Sequence, residues 1–162
     1  MNRPVTQSCS KQELISKYFN MVYKIALSRT GNVHYAEDVV QETFLRYLKT
    51  DKNFETEEHL KAWLIKVTIN CSKNIFLSSW YKKSVPLTDE IIFDSPEKSD
   101  VYFAAMALPK KYRTVIHLFY YEDFSVRQIS ETLGIKESTV KSQLHRAREL
   151  LKDNLKGVYE DV

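Results

Sequence analysis

The chain has 162 residues, enough for one ordinary domain or two small ones. Its 43% hydrophobic and 28% charged residues, with three glycines and four prolines, exclude a low-complexity or turn-rich all-β chain and favour a soluble helical one. A net charge of +3 points weakly to an anionic partner, and two distant cysteines, Cys9 and Cys71, exclude a disulfide framework or a cysteine metal site.

No apolar run approaches the roughly 18 residues of a membrane span, so no direct membrane insertion is expected. "MNRPVTQSCSKQE" has no hydrophobic core of a signal peptide, which makes the cytoplasm the expected location.

Leu14, Tyr18, Val22 and Ile25 recur at helical spacing and predict a first helix over Lys11 to Arg29, ended by "TGN". A second helix is predicted over Val33 to Lys49, with Ala36, Val40, Phe44 and Tyr47 inward. Its outward face carries Asp38, Gln41, Glu42, Leu45, Arg46 and Lys49. An aliphatic residue between acids suits a protein-binding surface, although single exposed leucines are common.

"DKNFETEE" breaks the pattern. A third helix is predicted over Glu57 to Lys82, with Leu60, Leu64, Val67, Cys71 and Ile75 inward. Its outward row is Lys66, Asn70, Lys73 and Leu77, with Asn74 nearby, and its lysines and asparagines suit nucleic acid: lysine for phosphate, asparagine for base edges. Trp63, Trp80 and Tyr81 are of a kind that stacks on unpaired bases, and Trp63 equally suits the core. Cys71 falls on an apolar face, as a buried reduced thiol does.

The composition then changes. Asp89, Glu90, Asp94, Glu97 and Asp100 face a single base, Lys98, between Pro86 and the residues after Pro96. This stretch is an acidic linker between two helical domains. The domains are placed at 10–83 and 97–156, with the linker at 84–96. The expected class is therefore all-α, two small helical domains.

Helical rhythm resumes over Pro96 to Ala107. Pro109 is then expected as a first helical residue, and the helix it opens buries Tyr112, Val115, Ile116 and Phe119. A short helix follows over Val126 to Leu133, with Ser125 as N-cap and Gln128 completing a capping box. Gly134 supplies the turn, and a long helix comes last.

Short helix, glycine turn and longer helix make a helix-turn-helix. Val126, Ile129 and Leu133 can pack on Ile135, Val140 and Leu144. The opposite face of the last helix then faces a major groove. Ser138, Thr139 and Ser142 are short enough for close approach. Lys141 and Arg146 suit phosphate or guanine, and His145 can donate to either. Glu137 and Glu149 both count slightly against DNA, at the two ends of this face, and Glu137 is equally well placed to complement the helix dipole. His145 has no partner at metal-ligand spacing. No paired carboxylates, no nucleophile beside a base and no phosphate loop are visible, so no enzyme activity, cofactor or metal is expected.

Both halves resemble one family. "AEDVVQETFLRYL" resembles the core-polymerase-binding segment of bacterial sigma factors, and "FETEEHLKAWLIKVTINCSKN" resembles the promoter-melting and −10 segment that follows it. "LPKKYRTVIHLFYYEDFSVRQISETLGIKESTVKSQLHRARELLK" resembles the family's region 4. The order and the short linker are similar to the extracytoplasmic-function (ECF) subclass, which keeps only domains two and four.

The resemblance implies a factor that binds RNA polymerase core, directs it to −35 and −10 elements and helps initiate transcription. It implies that Asp38, Gln41, Glu42, Leu45 and Arg46 meet the β′ clamp helices and that the second domain meets the β flap. It places Asn70, with Lys66, Lys73 and Asn74, on the −10 element, beside a pocket for a flipped base part-formed by the loop Glu55 to Glu58. Lys136, Ser138, Thr139, Lys141, Ser142, His145 and Arg146 would read the −35 element, with Arg127 near phosphate. It also implies an anti-sigma factor as a partner, and association with the nucleoid when bound to polymerase.

Two features depart from the family. The −10 loop holds Glu55, Glu57 and Glu58, and the third helix ends in "FLSSWYKK" where many relatives carry arginines. Both predict weaker phosphate contact by the first domain. The competing readings are a free-standing helix-turn-helix regulator and a helical adaptor with no DNA role. The Asp38–Glu42–Leu45 surface argues against the first.

Overall fold

A computed structural model describes residues 10–77 and 100–160; the expected linker at 84–96, Cys9, Trp80 and Tyr81 lie outside them. Every regular element among the described residues is helical, and the chain divides into two compact units, Met1–Asp89 and Glu90–Val162.

The first unit is a three-helix bundle whose helix ends are written in the local sequence. Helix α1 spans Lys11–Thr30. Ser10 caps it, its hydroxyl accepting from the Glu13 N–H at 3.2 Å. Gly31 ends it at φ +66°, a left-handed conformation that costs glycine nothing, and donates to the Leu27 carbonyl. Helix α2 spans Val33–Lys49 and is capped by Asn32, which accepts from the Tyr35 N–H at 3.1 Å. Lys11 binds the other end of α2. Its ammonium donates to the carbonyls of Tyr47, Leu48 and Thr50 at 3.2, 3.2 and 3.0 Å, where the helix dipole is negative. Helix α3 spans Glu57–Leu77, and Thr56 accepts from the His59 N–H at its start.

The predicted inward residues of α1 and α2 are all buried, as are Leu60, Leu64 and Cys71 of α3. The inner face of α3 differs in part from the predicted one. Val67 and Ile75 are only half-buried, while Ile65, Thr68, Ile69 and Ser72 are buried. The hydroxyls explain it. Thr68 donates to the Leu64 carbonyl at 2.6 Å and Ser72 to the Ile69 carbonyl at 2.6 Å, so each polar group is satisfied within its own helix. Thr43 of α2 does the same with Val39 at 2.8 Å. Trp63 is half-buried and packs its ring 5.5 Å from Phe54 and 6.1 Å from Tyr47, a core-edge role.

The second unit begins with α4, Asp100–Met106, and the buried Leu108. Pro109 is the N-cap of α5, Lys110–Ile116, one residue before the predicted helical position. Helix α5 then widens into a π-helical turn over His117–Tyr121. The wider turn shifts the phase of the inner face. Thr114, His117 and Leu118 are buried alongside Val115 and Ile116, and the predicted core residues Tyr112 and Phe119 are half-buried.

Asp123, at φ +55°, reverses the chain, and Phe124 turns back to bond the Leu118 carbonyl at 2.9 Å. Helix α6, Val126–Leu133, carries the predicted capping box: Ser125 Oγ accepts from the Gln128 N–H at 3.1 Å, and Gln128 Oε1 accepts from the Ser125 N–H at 2.9 Å. Gly134 ends it at φ +68°. Helix α7, Glu137–Glu160, follows. Ile129 of α6 and Val140, Leu144 and Ala147 of α7 are fully buried, which fixes the angle between the two helices.

Candidate functional site

In the second unit, burying Val140, Leu144 and Ala147 turns the other side of α7 to solvent. Ser138, Lys141, Ser142, His145 and Arg146 are exposed, Thr139 is half-buried at the edge, and Lys136 is exposed just before the helix. Arg127 is exposed on α6. The predicted −35 residues are thus exposed apart from the half-buried Thr139, with Ser138, Ser142 and His145 in a row along α7.

Several of these groups are already engaged. Ser142 Oγ donates to the Ser138 carbonyl at 3.0 Å. Arg127 Nε donates to Glu131 Oε1 at 3.2 Å. Arg146 Nη1 donates to Glu149 Oε2 at 3.2 Å, and His145 Nε2 stands 3.3 Å from the other Glu149 oxygen.

In the first unit, Asp38, Gln41, Glu42, Leu45 and Arg46 are all exposed along α2, as predicted. Leu45 keeps 41% of its surface open, and Leu48 nearby keeps 48%. Arg46 Nε donates to Glu42 Oε1 at 3.1 Å, an i,i+4 pair that holds both side chains along the helix. Lys66, Asn70, Lys73 and Asn74 are exposed on α3.

One juxtaposition was not legible beforehand. A shallow groove of about 340 Å³ between α2 and α3 is lined by Asp38, Glu42, Arg46, Cys71, Asn74 and Ile75. Asn74, predicted with the −10 row, therefore sits beside the predicted protein-binding residues. Cys71 forms the groove's floor at 2% exposure, and desolvation pushes its thiol pKa up, which keeps it protonated and unreactive.

Glu55 to Glu58 are exposed, but the structure places Glu57 and Glu58 in the first turn of α3 rather than in a loop, and one of these acids is compensated. Glu57 pairs with Lys17 of α1, whose ammonium hydrogen bond holds the carboxyl below the ordinary carboxylate range.

A second surface was missed by the sequence reading. Val101, Ile116, Tyr120, Tyr121 and Leu151 line an apolar groove of about 850 Å³ between α4, α5 and α7, with Arg148 and Lys152 at its rim. The signal was present in "HLFYY", a run too continuously apolar and aromatic for one buried helix face. Among the described residues, no group of three or more His, Cys, Asp or Glu could hold a metal ion, and no helix is long and apolar enough to cross a membrane.

Two helical units, the second carrying a helix-turn-helix with Lys141 and Arg146 exposed, are the architecture expected of the sigma-70 class. The family models agree: Sigma-70 region 2 matches residues 14–80, and Sigma-70, region 4 matches residues 100–151. The ECF RNA polymerase sigma factor SigW of Bacillus subtilis is 30% identical, over 90% of this chain and 89% of its own length. SigM of the same organism is 32% identical over 86% and 91%. SigE of Mycolicibacterium smegmatis is 32% identical over 90% of this chain, which spans 62% of that longer relative. The chain belongs to the ECF RNA polymerase sigma factors. Its fold is similar to that of the sigma factor RpoE in a co-crystal structure with the anti-sigma factor NepR from Bartonella quintana. The TM-score is 0.70 and the identity 25%, over 90% of this chain and 96% of that one.

Proposed function

We propose that this ECF sigma factor divides its work between its two units, each presenting the residues named above. Helix α2 docks on the β′ clamp helices of RNA polymerase core through Asp38, Gln41, Glu42, Leu45 and Arg46. The apolar groove of the second unit receives the β flap. Helix α7 lies in the major groove of the −35 element, with Lys136, Lys141 and Arg146 divided between phosphates and bases. Arg127, Ser138, Thr139, Ser142 and His145 complete that surface.

The −10 element falls to α3. Flipping a base out of the duplex costs a few kcal/mol, and capture of that base beside Asn70 repays the cost and nucleates strand opening. Lys66, Lys73 and Asn74 flank that position on exposed surface. The linker between the units threads polymerase towards the RNA exit path. An anti-sigma factor that covers both the α2 face and the α7 face blocks both steps, and the chain acts in the cytoplasm, on the nucleoid when polymerase is bound.

The observation that carries this reading is the exposure of the predicted residues on α2 and α7, the half-buried Thr139 excepted, while Val39, Val40 and Phe44 of α2 and Val140, Leu144 and Ala147 of α7 are buried. Run-off transcription with core polymerase on a promoter library tests it. Transcripts that depend on this chain and share two spaced elements are expected. DNA binding that needs no core, with no transcript, would favour a free-standing regulator instead.

A further inference from the structure

Glu149 is an acid on the DNA-facing side of α7 that the promoter-reading model does not use, and its carboxylate engages the side chains of that face. Ser138, Ser142, His145 and Glu149 follow one another at intervals of four, three and four residues, the spacing of a single helix stripe. A carboxylate in that row repels phosphate. It is also the group that both neighbouring side chains approach: Oε2 accepts from Arg146 Nη1 at 3.2 Å, and Oε1 lies 3.3 Å from His145 Nε2.

The geometry of the arginine fork decides what this does. With Nη1 on Glu149, the Nε–Nη2 edge of Arg146 stays open for a bidentate contact to guanine O6 and N7. A phosphate can use the same edge, but it would then lie beside the Glu149 carboxylate, whose like charge penalises it, whereas the neutral guanine edge meets no such penalty. From this geometry we infer that Glu149 is a specificity-determining positioning residue. It restrains Arg146 and His145 from generic phosphate contact and leaves them aimed at base edges. This inference rests on the reading of α7 as the −35 reader.

The pair is solvent-exposed, with side-chain exposures of 55% for Arg146, 76% for His145 and 49% for Glu149, so it contributes little to folding. Its effect is on selectivity, where the wrong contact is penalised rather than the right one strengthened.

The test uses holoenzyme reconstituted with core polymerase, and a promoter selected from a random library by the wild-type holoenzyme. Binding to that promoter and to a copy with a scrambled −35 element is measured across a salt series. Glu149→Gln keeps the shape and removes the charge. Asp153→Asn removes the same charge one turn further along α7, where Asp153 is exposed. Glu149→Gln is expected to tighten binding to the scrambled copy by at least about threefold and to steepen its salt dependence by about 0.9 in log–log slope, one added phosphate contact. Discrimination between the two DNAs falls by the same factor. Asp153→Asn is expected to move both affinities together and to leave their ratio unchanged. A ratio unaltered in Glu149→Gln, or altered equally in Asp153→Asn, overturns the inference and reduces Glu149 to one more surface charge. A wild-type holoenzyme that does not discriminate the scrambled copy would instead overturn the −35 reading itself.

Discussion

Arg148 Nε donates to the Tyr120 hydroxyl at 2.7 Å, 28 residues back along the chain. Its guanidinium also lies 5.5 Å from the Phe119 ring centre and 5.6 Å from that of Tyr120. The contact ties α7 to the π-helical turn and so helps fix the angle between them.

Arg148→Ala is expected to destabilise the second unit by about 1 kcal/mol, the scale of an exposed cation–π contact with one hydrogen bond. Thermal unfolding of the full chain, followed by circular dichroism, checks this. Tyr120→Phe retains the ring and loses only the hydroxyl, so it should cost less than Arg148→Ala. Equal costs would show that the hydrogen bond carries the whole effect.

Gly134 separates backbone strain from crowding. A Cβ added there meets nothing within 4 Å, yet φ is +68°. Gly134→Ala should therefore cost about 1 kcal/mol through the left-handed backbone alone, and Gly134→Asn should cost less. Urea unfolding midpoints give the order Gly, Asn, Ala. An alanine variant as stable as wild type would contradict it. Ser125→Ala, which removes half of the capping box, should cost about 1 kcal/mol in the same assay.

The Lys17–Glu57 pair has a definite pH signature. The fold lowers the Glu57 carboxyl pKa, chiefly through the Lys17 hydrogen bond. The pair's stabilisation is thus fully present above the unfolded-state carboxyl pKa, and it is lost as pH falls through the lower folded value. Both side chains are about half exposed, so the effect stays below about 1 kcal/mol. Stability curves of wild type and Lys17→Met should diverge at neutral pH and converge in acid. A constant gap across that range would assign the loss to packing rather than charge.

Leu45 is exposed on α2, so Leu45→Ala should leave folding stability within about 0.5 kcal/mol. Affinity for polymerase core, measured by competition against another sigma factor, should fall at least about tenfold if it is a central contact. Loss of core affinity together with a lowered melting temperature would make Leu45 a folding residue instead.

Asn70 is exposed on α3. With Asn70→Ala, permanganate reactivity of the −10 region should drop while protection of the −35 element is retained. Unchanged reactivity at matched occupancy would remove Asn70 from the melting step.

The helical boundaries, the Ser125 cap and the turn glycines Gly31 and Gly134 were legible because they depend on neighbours a few residues away. Ser10 and Asn32, which the sequence reading did not name, cap by the same local rule, each accepting from an N–H three residues on. The exposed faces of α2 and α7 were legible for the same reason, since their apolar rows repeat without interruption. The inner face of α3 was less so. Thr68 and Ser72 look polar in sequence, and only their bonds to carbonyls within α3 let them enter the core.

The sequence by itself determined two all-helical units, their caps and the side chains each helix turns outward, because helical periodicity and capping are local. The tertiary structure alone decided the phase shift at His117–Tyr121, the groove between α2 and α3 that unites Asp38 with Asn74, and the aromatic groove beside Arg148. Those features depend on packing between segments tens of residues apart. A residue's period along one helix carries no record of which neighbouring helix will cover it.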